Sequence, residues 1–482
     1  MARRTCSVAA TLGLLTAPLA AQGGFTNAFP PEEFAAHRAK VMEHIGDGVA
    51  VIQGTTEARG EWTLRQGNQF FYLSGVVEPR AMLIVDGRTK RTTLFLNAAA
   101  PRVRQYGPYL TANDSARQVT GVDVVMPRDS FATVLGRLDG RTIFTPFRPE
   151  TQGSESSGDV ASYFRRSKAD PWDGRVSREE LFVAAVKRAV PTAQLKDLDP
   201  VLDSLRAFKT PREVAQIREA TRLAGLAIME AMRDTKPGML EHELEAPAEY
   251  VYKRGGAYGT SYFPLIAGGP RMQYTHYHKN RGTLVDGELL QFDWAPDINN
   301  YTADVTRVWP VNGTFTPRQR EYYTIYLRLY QAVLTSIRPH VTAREVMDSA
   351  YAKMQPIMAA YRFTDPRIKA AAQAMMDRYK PAPAGSTGRG GSLGHSVGME
   401  VHDVPNITRT LEPGYVFTIE PQMTIDGAGE LSVRLEDMIL ITETGYELMS
   451  GFVPIEIADI EALMKQPGIG ERALRTPAKE RR

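Results

Sequence analysis

Short apolar runs separated by turn residues dominate the chain from Phe34 to about Phe147. Val49-Ala50-Val51-Ile52, Gln69-Phe70-Phe71-Tyr72-Leu73, Ala81-Met82-Leu83-Ile84-Val85 and Thr93-Leu94-Phe95-Leu96 each read as a strand. Helical patterns fall between some of them, so residues 25–200 are expected to form an α/β N-terminal domain. Arg148 to Arg175 is rich in Gly, Ser, Pro and charge, including Gln152-Gly153-Ser154-Glu155-Ser156-Ser157-Gly158. That composition predicts an exposed, linker-like loop over 148–175.

The pattern changes near Asp203, where a second domain, 203–464, is placed. Thr210 as N-cap, Pro211 at the first helical position and Glu213 three residues after the cap form a capping-box signature. Val214, Ile217, Ala220, Ala224 and Met229 then recur on one face until Pro237-Gly238. Strands are expected at Glu288–Trp294 and Tyr301–Val308, around the turn Asp297-Ile298-Asn299-Asn300. Helices follow from Pro317 to about Tyr379, then a Gly-rich loop over 385–394 and two strands at Tyr415–Pro421 and Leu431–Glu436.

Composition adds limits. A chain of 482 residues, 43% apolar and 23% charged, fits a globular protein of two or three domains. Arg3 and Arg4 precede the apolar run Cys6–Leu19, which ends in the small residues Ala20 and Ala21. This reads as a signal peptide over 1–21, so export to the periplasm or the exterior is expected. The run is shorter than the roughly 20 apolar residues of a spanning helix, so no membrane anchoring is expected. Cys6 is the only cysteine, so the mature chain has neither disulfides nor thiolate chemistry. The formal charge is +3, and the basic tail 465–482 is the one concentrated source of it. Nothing there forms a nucleic-acid footprint.

The candidate chemistry lies in acids set within apolar patterns. Asp293, Asp304, Glu420 and Glu436 all occupy such strand patterns, and Asp403 follows a histidine, His402. A buried, unpaired carboxylate costs several kcal/mol. A divalent cation is the natural compensation. With His395 from the Gly-flanked loop, these four carboxylates form a hard, oxygen-rich set suited to two ions, Mn²⁺ first, with Zn²⁺ or Co²⁺ as alternatives. Gly394-His395-Ser396-Val397-Gly398 also matches the nucleophile elbow of serine hydrolases. That mechanism needs a histidine well downstream of the serine. Here only His402 follows it, so the serine-hydrolase reading is rejected.

Phe292-Asp293-Trp294-Ala295, Tyr301 to Arg307, Gly394 to Asp403, Leu411 to Pro421 and Val433 to Asp437 resemble the metal-binding motifs of the pita-bread metallopeptidase family. Xaa-Pro aminopeptidases and prolidases are the members these motifs resemble most. Arg65-Gln66, Phe71 to Gly75 and Glu78-Pro79 are similar to the family's first domain. The resemblance implies an α+β pita-bread (creatinase/aminopeptidase) catalytic domain and removal of an N-terminal residue that precedes proline. It implies two divalent ions held by Asp293, Asp304, His395, Glu420 and Glu436, with Asp304 and Glu436 shared between them. His276 falls where the family binds substrate, and His402 where it contacts the scissile carbonyl. Glu420 matches the general base, and Arg434 an arginine that orients the carboxylates. His278 has no family role and reads as a surface residue. A homo-oligomer of two or four copies is a further expectation from the family.

The sequence departs from the family's pattern at Trp294-Ala295, at Gly391, where a histidine is frequent, and at Gln422 after Glu420-Pro421. No ligand is lost. The alternatives are a prolidase limited to Xaa-Pro dipeptides, a metal-free amidinohydrolase on the creatinase fold, and a binding module without activity. Retention of all five ligands argues against the last two.

Overall fold

A computed structural model describes residues 24–57, 64–99, 109–151, 156–381, 393–404, 410–425 and 431–470. The signal-peptide segment 1–21, Gly391 with most of the Gly-rich loop, and the tail beyond residue 470 lie outside the described residues.

The first half is built on a six-stranded mixed sheet of order β4-β3-β2-β1-β5-β6. Its strands are β1 (Val49–Gln53), β2 (Met82–Asp86), β3 (Arg91–Leu96), β4 (Val124–Pro127), β5 (Thr142–Thr145) and β6 (Gln194–Asp197). The unbroken apolar runs of β1 and β2 follow from burial on both faces. Val49, Val51, Met82 and Ile84 enter one core cluster, whereas Ala50, Ile52, Leu83 and Val85 enter a second that continues into the other half. The expected α/β domain is present.

Two sequence expectations fail in this half, the second only in part. Gln69–Leu73 is not a strand but part of a helix, Asn68–Ser74. Gly75 ends that helix with φ 65°, its N–H donating to the Phe71 carbonyl. Phe70, Phe71, Tyr72 and Leu73 are buried all round the helix, so packing overrides their β propensity. The stretch 148–175 is largely exposed from residue 158 on, as expected, but it is not a loop throughout. It contains the helix Ser157–Ala169, and Thr151, Ser156 and Ser157 are buried. Ser156 and Ser157 turn to partners in the other half, whereas residues 168–175 are all exposed.

Glu78 shows the cost of such burial. It is 5% exposed, and its Oε1 accepts the Leu110 N–H at 2.7 Å. Burial pushes its pKa up to about 7, with the Leu110 bond only partly opposing. An acid with a raised folded-state pKa favours folding at acid pH and loses that contribution as pH rises through the raised value. Denaturant unfolding should therefore show Glu78→Gln more stable than the parent near pH 8, by about 2 kcal/mol, and no more stable near pH 5.

The second half starts within a helix, Asp199–Arg206, so the expected boundary at Asp203 falls inside an element rather than in a linker. The helix Pro211–Asp234 has the full capping box of Thr210 and Glu213. Short antiparallel sheets follow. They comprise β7 (Gly259–Thr260) with β10 (Pro296–Asp297), and β8 (Leu265–Gly268), β9 (Leu289–Asp293) and β11 (Thr306–Pro310). Further on, β12 (Val416–Ile419) pairs β15 (Asp437–Ile441), which pairs β16 (Tyr446–Leu448), and β13 (Gln422–Ile425) pairs β14 (Leu431–Arg434). The helices Pro317–Leu334, Ala343–Ala360 and Pro366–Asp377 match the expected helical region. No helix among the described residues is long and apolar enough to cross a membrane.

Candidate metal centre and active site

The register of β9 against β11 places Thr306 opposite Asp293. Asp304 stands two residues ahead of Thr306, in the stretch before β11 rather than in the strand expected over 301–308. That segment is fixed at both ends. Asn299 and Asn300 both adopt positive φ, 52° and 69°, as a tight primed turn requires, and Ile298 and Tyr301 exchange hydrogen bonds across it. Downstream, Thr302 donates its N–H to the Gly398 carbonyl at 2.8 Å. Glu420 follows the last residue of β12, and Glu436 precedes β15, where a bridge to Thr306 links the sheets. Acids at strand ends thus meet from separate sheets.

They converge with His395. Its Nε2 lies 3.5 Å from Asp304 Oδ2, 3.4 Å from Glu420 Oε1 and 3.7 Å from Glu436 Oε1. Asp293, Asp304 and Glu436 offer ligand atoms within 4.8 Å of one another, as do His395, Glu420 and Glu436. All five expected ligands therefore form one cluster. Burial pushes Asp293 and Asp304 up to about 6, with the charges of Glu436 and Asp293 respectively adding to it. Burial and then Glu436 push Glu420 up to about 7. Burial opposes protonation of His395, but Asp304 and Glu436 outweigh it and raise its pKa well above the usual value.

The residues fit a pair of divalent cations. Glu436 is 1% exposed, and its Oε1, 3.7 Å from His395 Nε2, has no hydrogen-bond partner among the described residues. A hard donor set with an orphaned buried carboxylate oxygen is what such ions satisfy. Arg434 pairs with Asp293 and lies 3.7 Å from Glu420.

His402 stands with its ring 4.1 Å from that of His395, nearly perpendicular. Burial, then the charge of His395, lowers its pKa to about 3. His276 is exposed, with its pKa lowered by partial burial and then by the charge of Arg434. His278 is exposed against Phe263, as expected of a surface residue. Ser396 is buried and donates to the Val404 carbonyl at 3.0 Å, so it is no nucleophile. A cavity of about 320 Å³ opens beside His395, Glu420 and Arg434, with Met347, Met375, Tyr379 and Leu393 as its apolar wall.

Two family models match this chain. Metallopeptidase family M24 matches residues 215–443, and the N-terminal domain of aminopeptidase P matches residues 34–144. The chain belongs to metallopeptidase family M24. Among its relatives, the Xaa-Pro aminopeptidase of Escherichia coli is 28% identical over 453 residues, covering 90% of this chain and 97% of the relative. The Xaa-Pro dipeptidase of Homo sapiens is 25% identical over 500 residues, covering 92% and 95%. Aminopeptidase P from E. coli, solved with the inhibitor Pro-Leu, superposes with a TM-score of 0.71 at 27% identity, covering 91% of this chain and 98% of that one. This M24 enzyme is accordingly a metallopeptidase whose catalytic half has the pita-bread fold.

Further residues brace this M24 site. The Tyr262 hydroxyl lies 2.6 Å from Oδ1 of both Asp293 and Asp304, so its one proton serves both carboxylates. The unusual Trp294 holds Tyr262 in place, its Nε1–H donating to the Tyr262 carbonyl at 2.8 Å. The Thr306 hydroxyl donates to Glu436 Oε2 at 2.9 Å. Gln422 donates from Nε2 to the Ser432 hydroxyl at 3.0 Å. From the first half, Ser156 Oγ lies 2.8 Å from His402 Nδ1. The Ser157 N–H donates to Glu400 at 2.8 Å, and Arg65 donates to the Met399 carbonyl at 2.9 Å. Arg65, Trp294, Thr306, Glu400 and Gln422 stand in or beside the family-like motifs, whereas nothing in the sequence points to Tyr262.

Proposed function

We propose that this enzyme is a Xaa-Pro aminopeptidase that hydrolyses the bond between an N-terminal residue and a following proline. The observation that carries the reading is the convergence of four carboxylates and His395 beside a cleft with one apolar wall. The likeness to Xaa-Pro aminopeptidases across both halves supports it. Its volume of about 320 Å³ is within the range of small-ligand sites, about 300–1,000 Å³. An apolar wall suits the proline ring, whose nitrogen has no N–H to satisfy once it is in a peptide bond.

Asp293, Asp304, His395, Glu420 and Glu436 would hold two divalent cations, with Mn²⁺ as the proposed native metal. When bound, such ions acidify water and polarise a carbonyl. Glu420 is the most open of the four acids, its side chain 30% exposed against 2% for Glu436. It is therefore the one placed to take the attacking water's proton and return it to the leaving proline nitrogen. His276, which feels the charges of Arg434 and His395, and His402, whose ring is 4.1 Å from that of His395, would donate to the developing oxyanion. The low pKa of His402 keeps it neutral, so it donates through one nitrogen only.

That last point makes Ser156 testable. Its hydroxyl is the partner of His402 Nδ1, and losing a group that orients a functional histidine costs about tenfold or more. Ser156→Ala should lower kcat by about tenfold with little change in KM, and Ser156→Thr should restore part of it.

Export through residues 1–21 and assembly into dimers or tetramers belong to the same reading. The basic start and apolar run support the first, and the second rests only on the resemblance of the sequence motifs to the family. Mass spectrometry of products from an Xaa-Pro dipeptide and an Xaa-Pro-Xaa tripeptide, with Mn²⁺-loaded protein, tests the activity. Release of the first residue from the tripeptide is expected. Cleavage of the dipeptide alone would make the enzyme a prolidase, the second reading favoured by its dipeptidase relatives.

A further inference from the structure

A second set of donors is buried away from the catalytic cluster. It lies where the helix Pro31–Ile45 of the first half meets the opening turn of the helix Pro211–Asp234. Glu33 and His37 are one turn apart on the first helix, and Glu213 lies on the second. Their ligand atoms all lie within 4.8 Å of one another, and the residues are 6%, 2% and 2% exposed.

His37 is the informative member. Its Nδ1 lies 2.8 Å from the Tyr72 carbonyl, an acceptor only, so Nδ1 carries a proton. The ring is stacked on Tyr72 at 4.0 Å, which fixes its plane. Nε2 is buried and has no hydrogen-bond partner among the described residues. The nearest opposing group is Glu33 Oε1 at 3.9 Å, beyond hydrogen-bond reach. An imidazole that donates one N–H to a backbone carbonyl and turns the other nitrogen toward carboxylates has the arrangement of a metal-ligating histidine.

The carboxylates retain ligand capacity. Glu33 accepts the Thr210 hydroxyl at 2.6 Å on one oxygen and Arg212 at 2.8 Å on the other. Burial would raise its pKa, but these bonds outweigh it and hold Glu33 below the usual range, hence ionised. Glu213 accepts the Thr210 N–H at 2.7 Å and the Tyr301 hydroxyl at 2.8 Å, again one bond per oxygen. Each oxygen has a second lone pair.

We propose that His37, Glu33 and Glu213 bind one further divalent cation, of the Zn²⁺ type, that fastens the first half of the chain to the catalytic half. One imidazole and two carboxylates form a donor set suited to Zn²⁺, and donor distances of about 2.0–2.2 Å span a gap of this size. The role proposed is structural rather than catalytic, with a water or the second oxygen of a carboxylate completing the tetrahedron.

Metal analysis of the full-length enzyme tests this. After loading with Zn²⁺ and desalting, the parent should retain about one equivalent more than His37→Ala or Glu33→Gln. Peptide cleavage should be unchanged in both variants. With the catalytic cluster already saturated by Mn²⁺, added Zn²⁺ should raise the melting temperature of the parent but not of the variants. Equal metal content in the parent and both variants would overturn the proposal. Should the variants fail to fold, anomalous diffraction from Zn²⁺-loaded crystals of the parent decides. A peak between His37 and Glu213 is expected there, and its absence would leave the pocket to water and end the proposal.

Discussion

Asp304→Asn should abolish peptide cleavage and at the same time make the metal-free protein melt at a higher temperature near pH 8. The two effects share one cause. Asp304 faces Asp293 and Glu436 within a few ångströms and is 6% exposed. Removing its charge takes away a cation ligand, for which a loss of at least about three orders of magnitude in kcat/KM is expected. It also relieves mutual repulsion among buried carboxylates when no cation is present. The raised values of Asp293 and Asp304, about 6, and of Glu420, about 7, set the direction. Acids raised in this way favour the folded metal-free chain at acid pH and lose that contribution as pH rises through about 6 to 7. The variant should therefore gain about 1–2 kcal/mol over the parent near pH 8 in the presence of chelator, and much less near pH 5. Calorimetry at both pH values, beside a cleavage assay, measures the pair. A variant that cleaves at the parent's rate would remove Asp304 from the mechanism.

The largest loss of stability is expected from Arg206→Met. Arg206 is 2% exposed and donates to Asp403 at 2.5 Å, to Glu400 at 3.2 Å and to Gln69 at 3.0 Å. Its removal leaves Glu400 without a cationic partner and Asp403 with Lys209 alone, at 3.2 Å. Breaking a buried pair from one side costs about 3–5 kcal/mol, because the stranded charge remains. Glu400 and Asp403 bracket His402, so cleavage should fall as well. Arg206→Met combined with Asp403→Asn should recover part of the stability, a non-additivity that identifies the stranded charge as the cause. If the double variant loses the sum of two independent losses, the interaction is not of this kind. Urea unfolding of the single and double variants provides the measurement.

The five proposed ligands were legible because each sits in a local pattern that its own chemistry disturbs. Asp293 and Glu436 interrupt apolar runs that have no place for a charge unless something binds it. The capping box at Thr210 was legible for the same reason, since its signal lies within four residues. What the sequence concealed was nonlocal. Gln69–Leu73 has the composition of a strand, and only packing around all its faces makes it helical. The stretch 148–175 is polar, as a linker would be, yet Ser156 and Ser157 spend their hydrogen bonds on His402 and Glu400, more than 240 residues away. Tyr262 gave no warning because tyrosine suits any half-buried position. Its role exists only once two aspartates from separate segments lie 2.6 Å from its hydroxyl.

The grip of the first half on the loop around His402 also bears on how such enzymes diverge. Ser156, Ser157, Arg65 and Asn68 reach Met399, Glu400 and His402 from outside the half that carries the metal ligands. A chimera joining this catalytic half to a relative's first half would keep every ligand and lose the groups that aim one histidine. Substitutions in the two halves must therefore be matched over time, and a change tolerated in one lineage can be inactivating when transplanted alone into another.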